Sequence, residues 1–480
     1  MAERSTTALN PLCVDLDGTL VKTDTFAQAL LQLIRTRPAV LLAIPGWTAN
    51  GLAAFKRRIA QEIQLDPSAL PYHPGLLTFL KGEREKGREL VLVTASDALP
   101  ARAVAAHVGL FSDVMASDGV INLKAECKRA ALVARFGEKG FDYAGNATDD
   151  LAVWESAAGI IAVDPCAPVR RALKNRPARI FEDRPSKVKS WLKALRVHQW
   201  TKNILVFLPM LLAHELTTPA LYTKAVLAFF AFSFAASAIY IFNDLFDLHA
   251  DQHHPRKKNR PFAAGNLNLA AAAVAAPLLV LAALGVSLLL PFSFTAVLLL
   301  YLVITTLYSW RLKQLALLDV MTLAGLYSIR ILAGTAAYGV ETSTWLIAFS
   351  IFLFFSLAMV KRYAELREAA ESSSDKVRVR GRGYCEADLP LLAGFGAGSG
   401  CVAVLVLALY INSEKVVQFY KNPAVLWLLC PLFLYWIARI WLLASRGEIS
   451  DDPLDFAARD RQTWIIGALS AAVLILGSIL

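Results

Sequence analysis

Two groups of aspartates have spacings suited to chemistry. The first is the run Asp15-Leu16-Asp17-Gly18-Thr19-Leu20. Two carboxylates two residues apart at a strand end can divide two roles. Asp15 can attack phosphorus and carry it as an aspartyl phosphate. Asp17 can protonate the leaving oxygen and then activate water. Gly18 permits a tight turn behind them. The second group lies in Asn243-Asp244-Leu245-Phe246-Asp247-Leu248-His249-Ala250-Asp251, at the end of a long apolar run. Asp244, Asp247 and Asp251 are spaced i, i+3, i+7 and are expected on one helix face. Such a cluster repels itself unless a metal is bound, and with phosphate oxygens as co-ligands it suits Mg2+. His254, Arg256, Lys257, Lys258 and Arg260 follow at once, before Pro261 and Gly265. Metal and cations side by side form a phosphate clamp.

Hydrophobic patterning indicates which elements position these groups. The 480 residues leave room for two or three domains. Hydrophobic residues make up 56% and mean hydropathy is +0.47, too apolar for an ordinary soluble enzyme. Residues 1–200 have mixed charges, whereas residues 201–480 hold nearly all the long apolar runs. Strand candidates at Pro11–Leu16, Leu90–Thr94 and Gly159–Val163 alternate with helical stretches at about Thr25–Gln64, Leu99–Val108 and Cys127–Phe136. That alternation predicts a parallel α/β domain over 1–180, with a small helical cap at about 24–88. Within the cap, Ala39–Trp47 is apolar and flanked by Arg35, Arg37, Lys56, Arg57 and Arg58. It reads equally as an ordinary buried helix or as a patch that touches the bilayer or the membrane domain. The polar, basic stretch Ile180–Ser190 places a linker at 181–195. From 196 to 480 an all-α bundle is expected. Apolar runs near 202–220, 222–243, 270–290, 292–309, 316–338, 344–361, 391–411, 424–444 and 463–480 predict about nine transmembrane helices. His214 and Glu215 interrupt the first run.

The net charge of +10 does not imply a nucleic-acid partner, because the basic residues cluster between apolar runs. Arg256 to Arg260, Arg311 and Lys313, Lys361 to Arg382, and Arg446, Arg459 and Arg461 fall in alternate loops, with Lys415 and Lys421 as the main exceptions. Positive loops stay inside. The expectation is a multi-pass protein of a bacterial inner membrane, its head cytoplasmic and its C-terminus outside. Residues 1–10 lack an apolar signal core. The six cysteines are scattered without a CxxC pair, against disulfides or a zinc site.

The DxDGT run of the head resembles motif I of the haloacid dehalogenase superfamily. The resemblance covers about residues 10–170 and implies further parts in order. Thr94 would hydrogen-bond the phosphate. Lys128 would neutralise phosphate and nucleophile, with Lys124 as a rival for that role. Gly145-Asn146-Ala147-Thr148-Asp149-Asp150 resembles the acidic metal motif, with Asp15, Asp17 and Asp150 at Mg2+. Asn146 stands where an aspartate is usual, although asparagine still offers an oxygen.

The second group resembles the NDxxDxxxD motif of the UbiA superfamily of membrane prenyltransferases, which have nine spans and ionise a diphosphate ester with Mg2+ taking the leaving diphosphate. Arg196-Val197-His198-Gln199-Trp200-Thr201-Lys202-Asn203, Tyr308 and Lys313 in YSWRLK, Lys361-Arg362-Tyr363-Ala364-Glu365 and Asp455 to Arg461 look like the decaprenyl-phosphate phosphoribosyltransferase branch. That branch implies phosphoribosyl pyrophosphate (PRPP) as donor and a polyprenyl phosphate as acceptor. A second acidic DxxxD motif, usual after the sixth span, is replaced here by the basic KRYAE. Asp319 and Arg330 lie in one span, roughly 16 Å apart along its axis, too far to pair directly. Intramembrane charges usually face a cavity, and Asn243, Asp455 and Asp460 are further cavity candidates.

The resulting expectation is Mg2+ on Asp244, Asp247 and Asp251. Lys202, Arg256, Lys257, Arg260, Tyr308, Lys313, Lys361 and Arg362 are candidates for the phosphates. A polyprenyl phosphate oxygen attacks ribose C1, and the head then removes the 5-phosphate. Two rival readings are an aromatic prenyltransferase with a silent head and a non-catalytic membrane scaffold or transporter. Homo-oligomerisation is left open.

Overall fold

The computed structural model describes residues 9–212, 219–340, 343–371, 383–414, 416, 420–449 and 452–479. His214, Glu215, Lys376, Arg378, Arg380, Arg382 and Lys415 lie outside the described residues. The chain divides into two compact units. One is Met1–Leu195 with Tyr240–Pro277, and the other is Arg196–Ile239 with Leu278–Leu480.

The first unit is built on six parallel strands: β1 (Leu12–Val14), β2 (Leu90–Asp97), β3 (Asp113–Ser117), β4 (Asp142–Gly145), β5 (Ile160–Val163) and β6 (Ala178–Phe181). Their order is β3-β2-β1-β4-β5-β6. Alternate residues feed two cores. Leu12, Val14, Leu90, Leu92 and Ile161 pack on one side, and Cys13, Val91, Val93, Tyr143 and Ala162 on the other. A sheet covered on both faces needs nearly continuous apolar strands, which explains the run LVLV. From β1 the order runs outward to β2 and β3 on one side and to β4, β5 and β6 on the other. Ligand crevices in such sheets open at the carboxyl ends of strands where the order reverses, here between β1 and β4.

Between β1 and β2 lie α1 (Thr25–Thr36), α2 (Ile44–Thr48), α3 (Leu52–Glu62) and α4 (Pro74–Glu85). Asp24 caps α1 by accepting the Ala27 N–H. Ala29, Leu33, Val40, Phe55 and Ile59 form a small core of their own. The apolar patch in this segment is split: Val40 is buried, whereas Leu41 and Leu42 are exposed. Farther along are α5 (Ala98–Val108), α6 (Glu126–Phe136), α7 (Asp150–Ser156), α8 (Ala167–Ala172) and α9 (Lys187–Ala194). The stretch 181–195 is thus more ordered than a linker. β6 pairs with β5 through Phe181, and α9 fills most of the rest. Its polar composition misleads because a few residues within it carry the packing: Phe181 pairs into the sheet, and Ser190 and Ala194 of α9 are buried.

Later elements are α10 (Leu208–Leu212), α11 (Pro219–Phe246), α12 (Leu248–His253), α13 (Leu269–Ser287), α14 (Phe292–Trp310), α15 (Leu318–Tyr338), α16 (Thr344–Glu371), α17 (Leu389–Ile411), α18 (Leu429–Ser445), α19 (Pro453–Arg459) and α20 (Arg461–Ile479). Among the described residues, eight helices are long and apolar enough to cross a membrane. They correspond to the second through ninth apolar runs. The first run, as far as Leu212, forms a 3-10 segment, Val197–Phe207, and α10, and residues 213–218 of it lie outside the described residues. Polar Lys202 and Asn203 are buried in that segment.

One polar tie closes the sheet's β6 edge. Asp164, after β5, accepts the N–H groups of Asp183 at 2.9 Å and Arg184 at 3.3 Å. Its other oxygen faces His73 at 3.5 Å and the Arg184 guanidinium at 3.3 Å. Burial opposes its charge, but His73, the Asp183 amide and Arg184 outweigh that and hold the carboxyl below its ordinary range. Replacing Asp164 by Ala should weaken this edge by about 1–3 kcal/mol, measured as faster amide exchange over residues 178–195. Because the native value is depressed, the stabilisation is complete above the ordinary value of 3.8 and is lost as the pH falls through the native one.

Candidate functional site

In the first unit, Asp15 follows β1 at the crevice and is buried. Its N–H donates to the Ala144 carbonyl of β4. Lys128, on the first turn of α6, donates to Asp15 Oδ1 and to the Tyr143 hydroxyl, both at 2.8 Å. Tyr143 donates to Asp150 Oδ1 at 2.8 Å, and Asp150 Oδ2 accepts the N–H groups of Asn146 and Ala147 at 2.9 Å each. Lys124 instead pairs with Asp149 at the surface, 3.1 Å away. Asp17 accepts the Thr25 N–H and the Ser96 hydroxyl, both at 2.7 Å, while Thr94 accepts the Ser96 N–H at 2.9 Å. Gly18 has φ of 78°, and a Cβ there would lie 2.2 Å from Asn146 Nδ2. The turn therefore needs glycine both for its conformation and for the close approach of Asn146.

Burial pushes the Asp15 carboxyl up to about 7, against the pull of Lys128. Burial, together with nearby Asp24, pushes Asp17 up to about 6. A carboxyl near 6 can both give and take a proton near neutrality. Lys128 is held protonated: burial opposes its charge, but Asp15 and Asp150 more than compensate. The cluster can therefore keep one carboxylate paired with an ammonium and offer a second as acid and base. Asp150 is engaged by Tyr143 and two amides. No group of three or more His, Cys, Asp or Glu side chains among the described residues is arranged to hold a metal. The donor chemistry of Asp15 and of Asn146 Oδ1, both bonded by the Thr19 hydroxyl at 3.3 Å, suits a hard divalent cation.

The same unit contains the aspartate-rich helix end. α11 stops at Phe246 and α12 starts at Leu248. The Asp247 N–H still reaches the Asn243 carbonyl and the Asp251 N–H the Asp247 carbonyl, at 2.8 Å each. Asp244 and Asp251 converge on one guanidinium nitrogen of Arg260, at 3.2 and 2.6 Å. Asp247 lies instead 3.5 Å from Arg35 of α1. The single face expected for all three thus holds for two. A step of seven returns to within about 20° of the start, whereas a step of three lands about 60° to one side. Burial pushes the Asp251 carboxyl above its ordinary value against the pull of Arg260. Two carboxylates sharing one cation form a site whose chemistry fits Mg2+. Arg256 and Lys257 are exposed on the next turn.

The second unit has its own charge cluster. The ammonium groups of Lys202 and Lys361 meet on Asp452 Oδ2, at 3.0 and 2.9 Å. Lys202 is also 3.7 Å from Asp455, which accepts from Gln199 at 2.5 Å. The Tyr327 hydroxyl donates to Asp452, and Asp452 caps α19 through the Leu454 N–H. Burial opposes the charge of Asp452, but the two lysines outweigh it and hold the carboxyl far below its ordinary range. Arg362 turns elsewhere. It pairs with Asp319 and Glu365 and donates to the Tyr308 hydroxyl at 2.9 Å. Tyr384 also donates to Asp319, at 2.6 Å. Arg330 donates to Asn203 at 2.9 Å and lies over the rings of Tyr301 and Tyr327. Asp319 and Arg330 do not pair with each other, as their spacing predicts. Asp460 forms a two-point pair with Arg439, and Lys313 sits half-buried in the turn Leu312–Gln314. Sequence reasoning missed Asp452, Tyr327, Tyr143 and Ser96. The available signal for Asp452 was an aspartate directly before Pro453, the pattern of a helix cap.

Comparison with known proteins places this architecture. The model of the UbiA prenyltransferase family matches residues 203–459, and that of haloacid dehalogenase-like hydrolases matches residues 12–152. The chain belongs to the UbiA prenyltransferase family, with a haloacid dehalogenase-like domain at its N-terminal side. It is 38% identical to the uncharacterized protein y4nM of Sinorhizobium fredii, over 97% of this chain and 90% of that one. It is 33% identical to the nodulation protein NoeC of Azorhizobium caulinodans, over 58% of this chain and 89% of that one. With a decaprenyl-phosphate phosphoribosyltransferase of Mycolicibacterium smegmatis it shares 30% identity, over 60% of this chain and 93% of that one.

Removing Asp452 leaves Lys202 and Lys361 facing each other without their shared counter-charge. Asp452→Ala should lower stability by about 3–5 kcal/mol, measured as a fall in the unfolding midpoint of the detergent-solubilised chain. Asp460→Ala, which leaves a single arginine without its partner rather than two facing lysines, should cost less.

Proposed function

We propose that this membrane enzyme transfers the 5-phosphoribosyl group of PRPP to a polyprenyl phosphate and that its head then removes the ribose 5-phosphate. The observation that carries the reading is the meeting of Lys202 and Lys361 on a single oxygen of Asp452. A phosphate oxygen is the same kind of acceptor, so the lysines form a ready phosphate site. The sequence places the basic Lys361-Arg362 where a prenyl-diphosphate enzyme would carry a second acidic motif. The phosphoribosyltransferase relative supports the same substrate class.

In the transfer step, the bond from ribose C1 to the diphosphate oxygen breaks, and a bond from C1 to a lipid phosphate oxygen forms. Asp244, Asp247 and Asp251 would hold Mg2+, which when bound neutralises the departing diphosphate. Arg260 balances Asp244 and Asp251, and Arg256 and Lys257 line the same turn. Arg362 is assigned a supporting role, because its guanidinium is engaged by Asp319, Glu365 and Tyr308. Positioning and charge neutralisation supply most of the catalysis, since the lipid phosphate brings its own nucleophile.

In the head, Asp15 attacks the 5-phosphate and Asp17 protonates the ribose oxygen. A water activated by Asp17 then releases inorganic phosphate. Lys128 balances the charge of Asp15 throughout. The basic loops of the membrane domain favour a cytoplasmic head.

The test is a membrane assay with labelled PRPP and decaprenyl phosphate. Asp247→Asn should abolish lipid labelling, at least about a hundredfold. Asp15→Asn should accumulate a lipid that still carries the 5-phosphate, detected by mass. If the wild-type chain labels no polyprenyl phosphate from PRPP, the ribosyl reading falls and an aromatic prenyltransferase takes its place.

A further inference from the structure

The first compact unit combines the phosphatase-like head with the aspartate-rich helix end and the loop after it, Met1–Leu195 with Tyr240–Pro277. The contacts between these two parts are specific. The side-chain amides of Gln28 in α1 and Gln252 in α12 exchange hydrogen bonds, at 2.6 and 3.3 Å, and both side chains are buried. Asp66, just after α3, meets His253 at 2.8 Å. Arg35, at the other end of α1, lies 3.5 Å from Asp247. On the far side of the loop, the ring of Trp191 packs edge-on against Phe262. Gly265 has φ of 69°, and a Cβ there would come within 2.5 Å of the Lys22 side chain. Four separate segments of the head thus grip residues 247–265.

These contacts have consequences for chemistry. Buried amides that satisfy only each other fix both partners, because losing one strands the other without water. Gln252 is the neighbour of Asp251, and His253 follows it, so the grip falls on the turn that carries Asp251. Arg35 approaches Asp247, at the start of the same turn. Outer partners that orient metal-binding carboxylates commonly matter about as much as the ligands, at 10–100-fold in affinity or activity.

We propose that the head is a structural part of the transfer site. Gln28 and Arg35 of its cap are positioning residues that hold the aspartate-rich turn, independently of the head's own phosphatase chemistry. For the role of that turn, the inference rests on the diphosphate-site reading given above.

The experiment uses the full chain in membranes. Gln28→Leu strands the Gln252 amide, and Gln28→Leu combined with Gln252→Leu replaces the pair by an apolar contact. Arg35→Gln removes the charge and Arg35→Lys keeps it. Arg37→Ala is the control, since Arg37 pairs with Glu62 of the cap itself. Two readouts are taken: hydrogen exchange over residues 247–260, which needs no substrate, and the initial rate of transfer with its Mg2+ dependence. Gln28→Leu should speed exchange in that segment and slow transfer about tenfold. The double leucine variant should restore both, Arg35→Lys should outperform Arg35→Gln, and Arg37→Ala should match the wild type. If Gln28→Leu and Arg35→Gln leave exchange and transfer at wild-type values, the proposal is overturned. If the wild-type chain transfers nothing from PRPP, the donor assignment fails by itself, and the exchange readout still decides whether the head holds the turn.

Discussion

Taking a carboxylate out of water costs several kcal/mol unless a counter-charge and hydrogen bonds replace the solvent. Several buried carboxylates among the described residues meet that demand with a cation, brought from far along the sequence at Asp15, Asp452 and Asp319 and from the following loop at Asp244 and Asp251. Asp15 is met by Lys128, and Asp244 and Asp251 by Arg260. Asp452 is met by Lys202 and Lys361, and Asp319 by Arg362. The folds are arranged to make these meetings. The β1–β4 crevice brings the first turn of α6 over the end of β1. The break between α11 and α12 lets the chain turn back so that Arg260 faces the aspartates it follows. In the second unit, a 3-10 segment, α16 and the start of α19 each contribute one charge to a single buried cluster.

The distinction between pairing and readiness follows from the partners. Arg362 is engaged by two carboxylates and a tyrosine, and Asp319 is further held by Tyr384. That cluster is closed and serves packing between helices. At Asp452 two ammonium groups share one oxygen, an arrangement in which each lysine keeps donors for a further anion. At Asp244 and Asp251 one guanidinium serves two carboxylates.

The head was largely legible in the sequence because its chemistry is local. Asp15 and Asp17 sit within one turn, and the apolar strands that frame them are continuous. Lys128 was legible as a lysine at the right distance along the chain, but only the fold separates it from Lys124. In the membrane domain the local aspartate pattern was legible and the long-range partners were not. Arg362 read as a phosphate ligand because its partner Asp319 lies in another helix, 43 residues away. Asp452 was hidden because neither of its lysines is near it in sequence. The first apolar run misled for a different reason. Its apolar count was adequate, but Lys202 and Asn203 within it have buried partners, so polar contacts override hydropathy there. The polar stretch after residue 180 misled in the opposite sense, since Phe181 pairs in β6 and Ala194 of α9 is buried despite the charged residues between them.

The position of the amide pair bears on why the two domains share one chain. A tether alone would raise the local concentration of the lipid product near the phosphatase and would leave the transfer site untouched. Gln28 and Gln252 do more than a tether, because their bonds are buried and reciprocal and adjoin a proposed metal ligand. In this chain the turn has a partner whose loss exposes an unsatisfied amide, so the head is tied to it by desolvation as well as by the peptide bond.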